Sequence, residues 1–194
     1  MCFYAQMTRK AEAVHKQFGT QGPVATGVYN GFTHPQLTVI TQEQPKATAL
    51  HHWGLIPHWS KDNDIRRYTL NAKVETLHQK PSFRNAKRCL VLADGFYEWQ
   101  WLDPKGKKKQ KHLLTHPQEK LFAFAGLWDE WVDTTTGEIV RTCTLVTTAA
   151  QGIMQEIHNS KLRMPFTLTP NTEASWLEGE IPDPFYAFSA RRVN

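Results

Sequence analysis

The chain has 194 residues, 40% of them apolar, with seven Trp and ten Phe, which is enough for one well-packed domain and too apolar for disorder. It contains no run of 18 apolar residues and no charged-then-apolar leader, which excludes a spanning helix and a secretory signal from this stretch. A net charge of +5 suits a polyanionic partner, and the three cysteines, odd in number and without CxxC spacing, exclude a disulfide framework and a zinc ribbon and point to a reduced, cytoplasmic protein.

Taken in chain order, Thr8 is placed to cap a helix over 9–18 that ends at Gly19. Residues 20–35 are punctuated by Gly and Pro and read as loop. Leu37 to Ile40 is a strand and Ala49 to Trp53 another, followed by a sharp turn through Gly54 and Pro57. Asn71 enters a short amphipathic stretch, where the ordinary role of Asn is a helix N-cap. Cys89 to Ala93 is a continuous apolar run, as in a strand buried on both faces. Phe96 to Leu102, a turn at Asp103–Gly106 and His112 to Thr115 predict a hairpin with a basic tip. Leu121 to Trp128 and Glu138 to Thr148 add two long strands. Helices follow at 151–157 and at 170–177, the latter with Thr169 as cap and Pro170 at its first position, and Phe185 to Phe188 is a last strand. The predicted fold is α+β, a single domain over 1–194 dominated by antiparallel strands, barrel-like or as two packed sheets, with a few short helices.

Four segments place a reactive residue in an apolar or turn-forming context. The first is Cys2. A small residue at this position lets an aminopeptidase remove Met1, leaving an α-amine beside the Cys2 thiol. The amine, titrating near ~8, can condense with an aldehyde, and the thiol, near ~8.5, can close the imine into a thiazolidine. The second is Asn71-Ala72-Lys73-Val74-Glu75-Thr76. In the third, Asp94-Gly95-Phe96-Tyr97-Glu98-Trp99, Glu98 lies among aromatics after a buried strand. Desolvation would raise its pKa and fit it to give and retake a proton. The fourth is Ile157-His158-Asn159-Ser160-Lys161-Leu162-Arg163-Met164-Pro165, where His158 ends a helix. Singly, each has an ordinary structural reading: an exposed Glu in an alternating strand, a C-capping His, a capping Asn. Cys89 and Cys143 read as packing thiols. His51 and His52 alternate across a strand and cannot share one metal. The five lysines of Lys105–Lys111 read as a solvated hairpin tip, with distal DNA contact as the alternative.

Together, Met1-Cys2, the WGLIPxW block from Trp53 to Trp59, Asn71-Ala72-x-x-Glu75-Thr76, Gly95-Phe96-Tyr97-Glu98-Trp99, Thr147-Thr148-Ala149, His158…Arg163-Met164-Pro165 and Val193-Asn194 resemble, in order and over nearly the whole chain, the SRAP family. These are SOS-response-associated peptidase-like proteins that crosslink to abasic sites in single-stranded DNA. The resemblance implies that Cys2 forms a thiazolidine at the abasic-site aldehyde, that Glu98 and His158 act as acid/base groups, and that Asn71 holds the Cys2 end and the sugar. It also implies a basic, aromatic track in which Pro57 and Trp59 wedge the strand while Lys73, Ser82, Arg84, Thr147 and Arg163 contact its backbone. No metal or cofactor is implied. The expected protein is a monomer, nucleoid-associated if bacterial, whose partner is single-stranded DNA carrying abasic sites. Three departures stand out. Phe3-Tyr4 replaces the family's usual Gly-Arg after the cysteine, Lys73 replaces an arginine fork, and the step from His158 to Arg163 is longer than the common His-x-Arg-Met-Pro. A cysteine peptidase or self-processing hydrolase, with Cys2 as nucleophile, His158 as base and Asn71 as orienter, is the alternative enzyme. A plain single-strand-binding module, which would need no Cys2, is the non-enzymatic one.

Overall fold

A computed structural model describes residues 2–193; Met1, with its expected removal, and Asn194 lie outside the described residues. The first strand, β1 (Tyr4–Met7), buries Ala5 and Met7 and turns Tyr4 and Gln6 outward, the period-two pattern of a sheet covered on one face. Helix α1 (Ala11–Phe18) follows and ends at Gly19, whose φ of 64° supplies the left-handed stop. Thr8 does not cap it. Its N–H, at 2.9 Å, and its hydroxyl both go to the Asp94 carboxylate, so Lys10 stands at the helix entry with no side-chain cap. The loop reading of 20–35 is also corrected. Strand β2 (Gly27–Asn30) pairs antiparallel with β1, and a 3-10 turn follows at Gly31–Thr33.

The chain continues through β3 (Gln36–Thr41), β4 (Gln44–Trp53), β5 (Asn71–Lys73), β6 (Lys87–Ala93), β7 (Gly95–Trp101), β8 (Lys109–Thr115), β9 (Phe122–Val132) and β10 (Ile139–Ala149). It ends through α2 (Met154–Ile157), β11 (Arg163–Pro165), β12 (Thr167–Leu168), α3 (Glu173–Leu177) and β13 (Ser189–Val193). Strands β10, β4, β3, β6 and β9 pair in that order, and β9 returns to β10, so that this group closes into a five-stranded barrel. Closure removes the free edges that such hydrophobic strands would otherwise expose. The remaining sheet runs β13-β8-β7-β1-β2. Phe96 on its inner face meets Phe124 of the barrel edge-on, with ring centroids 5.8 Å apart. The fold is therefore α+β, mostly antiparallel, with short helices.

Three further element readings change. Asn71 is a strand residue rather than a helix cap, because β5 lies parallel to β10 and only then tightens into a 3-10 turn at Val74–Thr76. Helix α3 begins at Glu173, since Thr169 and Thr172 bond to each other in a preceding turn. Phe185 makes a single bridge to Thr167, and Phe188 packs edge-on against Phe96, so the last strand falls at Ser189–Val193.

The apolar run of β6 is buried on both faces as expected. Trp176 of α3 covers its outer side and donates its indole N–H to the carbonyls of Cys89 (3.1 Å) and Gly126 (3.3 Å). Cys89 and Cys143 are fully buried, and burial holds both thiols well above their ordinary pKa. Gly126 faces Cys89 across the β6–β9 pair, and a Cβ there would stand 2.7 Å from Val91 Cγ2 and 2.9 Å from Cys89 Sγ. Gly126→Ala is accordingly expected to destabilise the protein by about 1–3 kcal/mol through overpacking, read as a lower urea midpoint at an unchanged m-value.

Candidate active site

The WGLIPxW block positions the site from below. Trp53 is fully buried and donates its indole N–H to the Leu70 carbonyl at 2.8 Å, fixing the residue before Asn71. Gly54, at a φ of 115°, lets the chain pass close to its neighbours, since a Cβ there would lie 2.7 Å from His34 Nδ1 and 2.8 Å from the Arg66 carbonyl. At Trp53 the pairing of β4 with β10 ends, and from Leu145 onward β5 takes the place beside β10. Asn71 thereby reaches Cys2, donating from Nδ2 to the Cys2 carbonyl at 2.9 Å.

Cys2 is fully buried. Its thiol donates weakly to the Tyr4 carbonyl at 3.6 Å, and its pKa is raised well above the ordinary range, first by burial and then by the nearby Glu98 carboxyl. Glu98 lies on the inner face of β7, 5% exposed, and desolvation lifts its pKa to about 8. The ring of His158 stands with Nε2 3.8 Å from Glu98 Oε2, within ion-pair range but too far for a direct hydrogen bond. Burial also drives the His158 pKa down to about 4, so at neutral pH the two groups face each other uncharged. His158 Nδ1 is 2.6 Å from the Arg163 carbonyl and 3.1 Å from the Arg163 N–H. The shorter contact assigns the proton to Nδ1, donated to the carbonyl, and leaves the Nε2 lone pair toward Glu98. His158 also forms the C-cap of α2, so its ordinary structural reading holds alongside its place in the site.

Arg163, on β11, grips both Glu75 oxygens, at 2.6 and 2.9 Å, and its Nη2 also donates to the Thr147 carbonyl at 2.7 Å. Thr147 itself is fully buried, with its hydroxyl bonded to the Ala72 carbonyl at 3.3 Å. The long His158–Arg163 connection is accommodated by Leu162, which adopts a left-handed φ of 52° and accepts from the Ala150 N–H at 2.9 Å. Around this group, Glu98 Oε1, Asn71 Oδ1 and Arg163 Nε are buried with no hydrogen-bond partner among the described residues. Buried polar atoms are ordinarily paired, and these three belong to residues grouped around the buried Cys2 and its neighbours.

The expected DNA contacts separate into groups. Lys73 and Arg84 are exposed and Ser82 is half-buried. Pro57 is buried, and Trp59 is half exposed on a loop tied down by His58, whose N–H and Nδ1 both meet Asp129 Oδ2 at 2.9 Å. Asp129 pairs with Thr142, which precedes Leu145, the β10 partner of Asn71, by roughly 10 Å of extended chain. The anchor of the Trp59 loop is thus set well along β10 from Asn71. Beside Asn71 lies instead a cleft that sequence reasoning missed, lined by Phe3, Phe32, Arg67, Tyr68 and Leu70. Tyr68 is 82% exposed and Phe32 58%, with Phe3 and Phe32 rings 4.7 Å apart. The Arg66-Arg67-Tyr68 triplet, two residues ahead of Asn71, was the available signal.

Known proteins share both the sequence and the fold. Residues 1–188 match the family described as SOS response associated peptidase (SRAP). The chain belongs to this family. It is 43% identical over 153 residues to Abasic site processing protein YoqW of Bacillus subtilis (strain 168), a match spanning 77% of this chain and 66% of YoqW, just under two thirds of that relative's length. It is 33% identical over 157 residues to Abasic site processing protein HMCES of Gallus gallus, covering 67% of this chain and 45% of HMCES. A crystal structure of a protein from Bacteroides thetaiotaomicron superposes with a TM-score of 0.90 at 32% identity, covering 100% of this chain and 92% of that one. Among the described residues of this SRAP protein, no helix is long and apolar enough to cross a membrane.

The Glu98 environment has a measurable consequence for stability. The unfolded chain ionises this carboxyl near its ordinary value of 4.5, whereas the folded protein holds the proton until about pH 8. Between those values the folded state binds more protons, so this group makes the protein progressively less stable as pH rises from 4.5 to 8. Glu98→Gln removes the titration. Its stability relative to the parent is expected to increase across that window and to level off above it, as followed by urea unfolding at a series of pH values.

Proposed function

We propose that this SRAP protein processes abasic sites in single-stranded DNA by forming a covalent thiazolidine through Cys2 once Met1 has been removed. The observation that carries the reading is a neutral, buried Glu98 carboxyl, one oxygen without a hydrogen-bond partner among the described residues, beside a buried Cys2 whose carbonyl Asn71 holds. An abasic sugar exchanges between a closed ring and an open aldehyde. Glu98, protonated at neutral pH, donates to the ring oxygen as the C1′–O bond opens and retakes a proton as the aldehyde forms. The Cys2 amine then adds to C1′, and the resulting carbinolamine loses water as Glu98 donates again, giving the iminium. The Cys2 thiol, still protonated because of its burial, adds to that carbon. The amine keeps its remaining proton, and the thiol proton passes to the Glu98 carboxylate, restoring the acid. The net change is aldehyde plus aminothiol to thiazolidine plus water. His158 Nε2, aimed at Glu98, accepts and returns protons during these exchanges.

The thiol is held up by burial rather than lowered, which is opposite to the activated thiolate that a cysteine peptidase uses. The names of the relatives, abasic site processing proteins, support the DNA-directed reading. Lys73, Ser82 and Arg84 serve as backbone contacts at the exposed side of β5 and the turn after it. Tyr68 and Phe32 join Trp59 as stacking surfaces, and the buried Pro57 shapes the Trp59 loop. Thr147 and Arg163 act through the Glu75 clamp that holds the β5 turn.

The test is incubation with single-stranded DNA carrying one abasic site, followed by a denaturing gel. Cys2→Ala and Cys2→Ser are expected to give no stable adduct. Protein retaining Met1 is expected to bind but not crosslink until methionine aminopeptidase trims it. Glu98→Gln is expected to slow crosslinking by about 10²–10⁴, and the parent rate is expected to fall above pH 8 as Glu98 ionises. A stable adduct formed at the parental rate by Cys2→Ala would refute the thiazolidine.

A further inference from the structure

The lysine-rich hairpin is not used by the site described above, and its register shows where those lysines go. Only Lys105, Lys107 and Lys108 are at the tip; Lys109 and Lys111 belong to β8, paired with Trp101 and Trp99. Residues paired across a sheet share a face, so one face of β7–β8 carries Tyr97, Trp99 and Trp101 with Lys109 and Lys111. This is the face turned away from the buried Phe96, Glu98 and Leu114. The ammonium of Lys111 stands 4.4 Å from the Tyr97 ring centroid and 5.6 Å from Trp99, and that of Lys109 stands 5.5 Å from Trp101. The next strand, β13, adds Arg191, paired with Leu113. On the other side Tyr4 of β1 packs edge-on against Trp99, with centroids 4.9 Å apart. Followed across all five strands, the pairing places no Asp or Glu on this face among the described residues. None of Lys109, Lys111 and Arg191 has a carboxylate partner among them either.

We propose that this outer face of the five-stranded sheet binds single-stranded DNA flanking the reactive site. Rings at alternate positions of a strand stand roughly 6.8 Å apart, about twice the 3.4 Å rise between stacked bases. Such a row takes bases one at a time as they leave a stack, while the interleaved lysines meet phosphates. The face is unbroken by negative charge, as a polyanion requires and a mixed-charge protein partner does not. It also runs up to the reactive end. Strand β1 begins at Tyr4 opposite Tyr97, so Trp99 and Trp101 extend past its start on the side where Cys2 lies. There Asn159, next to His158, accepts from the Trp101 N–H at 3.0 Å and donates to its carbonyl at 2.9 Å, fastening the hairpin to the loop that bears His158. The identity of the occupant rests on the DNA-directed reading above.

The experiment measures two things on the full chain. One is fluorescence anisotropy with a long undamaged single strand over a salt series. The other is the crosslinking rate on a short oligonucleotide that ends close to its abasic site. Gly106 at the tip packs against the Trp101 indole, where a Cβ would stand 2.6 Å from the ring, so the stacking test falls on the middle ring of the row: Trp99→Ala is expected to weaken long-strand binding by about five- to 150-fold, the factor for one absent base stack. The double variant Lys109→Glu/Lys111→Glu is expected to flatten the salt dependence by about 0.7 for each phosphate no longer neutralised, with crosslinking of the short oligonucleotide unchanged. Thermal melting confirms that each variant is folded. Long-strand affinity and salt slope equal to the parent in both variants would overturn the proposal. So would a double variant that loses short-oligonucleotide crosslinking in step with long-strand binding, because the face would then belong to the reactive site. So would loss of polyglutamate binding by the double variant together with unchanged DNA binding, which would point to an acidic protein. A parent that fails to crosslink yet binds long strands through Trp99 and the two lysines would sink the proposed chemistry and leave this surface standing.

Discussion

One edge of β10 serves two strands in succession, and the site depends on that arrangement. Beside Thr142 and Cys143 the neighbour is β4; beside Leu145 to Thr147 it is β5, also parallel. Leu70 lies 17 positions after Trp53, and the indole-to-carbonyl bond between those two brings the chain back into line. The two strands lie end to end along that edge, joined by the segment between them. Here that connection carries the exposed aromatic and basic residues, while its return delivers Asn71 to Cys2. The opposite edge at the same level receives β11, and with it Arg163. Barrel closure therefore sets the spacing of Asn71, Thr147 and Arg163, and β7 of the other sheet brings Glu98 to meet them.

The proposed chemistry follows from exclusion of water more than from opposed charges. A carboxyl and an imidazole near 4 Å would ordinarily be read as an ion pair. In this position burial penalises both charged forms, and the uncharged pair is favoured. A neutral acid beside a neutral base is suited to repeated proton exchange, because neither group is locked by the other. The Arg163–Glu75 pair, on the partly open side, stays charged, with its guanidinium holding the Glu75 carboxyl below the usual range. Two acid–base pairs a few residues apart thus take opposite states because their solvent access differs.

Much of this was legible in the chain because the informative residues are local. Gly19 ending α1, the apolar run of β6, and Glu98 set among aromatics are consequences of neighbours in sequence, and each appears as read. What was not legible depends on partners far along the chain. Thr8 had a cap's chemistry, but Asp94, 86 residues away, takes its hydroxyl. Strand β2 is short and contains Gly27, and only β1 makes it a strand. Nothing local to Thr147 says that its hydroxyl turns inward to Ala72, or that Arg163 spends its fork on Glu75. Trp59 stood out as the end of the WGLIPxW block, whereas Tyr68, more exposed still and adjoining Asn71 through the cleft, had only the two arginines before it as a signal.

The burial of Cys2 has one more consequence. Thiolate, not thiol, is the form that peroxides and alkylating agents attack. A cysteine with no exposed surface and a pKa lifted well above neutrality is nearly inert to them. Most reactive cysteines are primed by a nearby cation and are correspondingly vulnerable to oxidative loss. Under the proposed thiazolidine chemistry the sulfur stays dormant until a carbon electrophile has been delivered next to it, and the residue persists undamaged in oxidising conditions that would consume a thiolate.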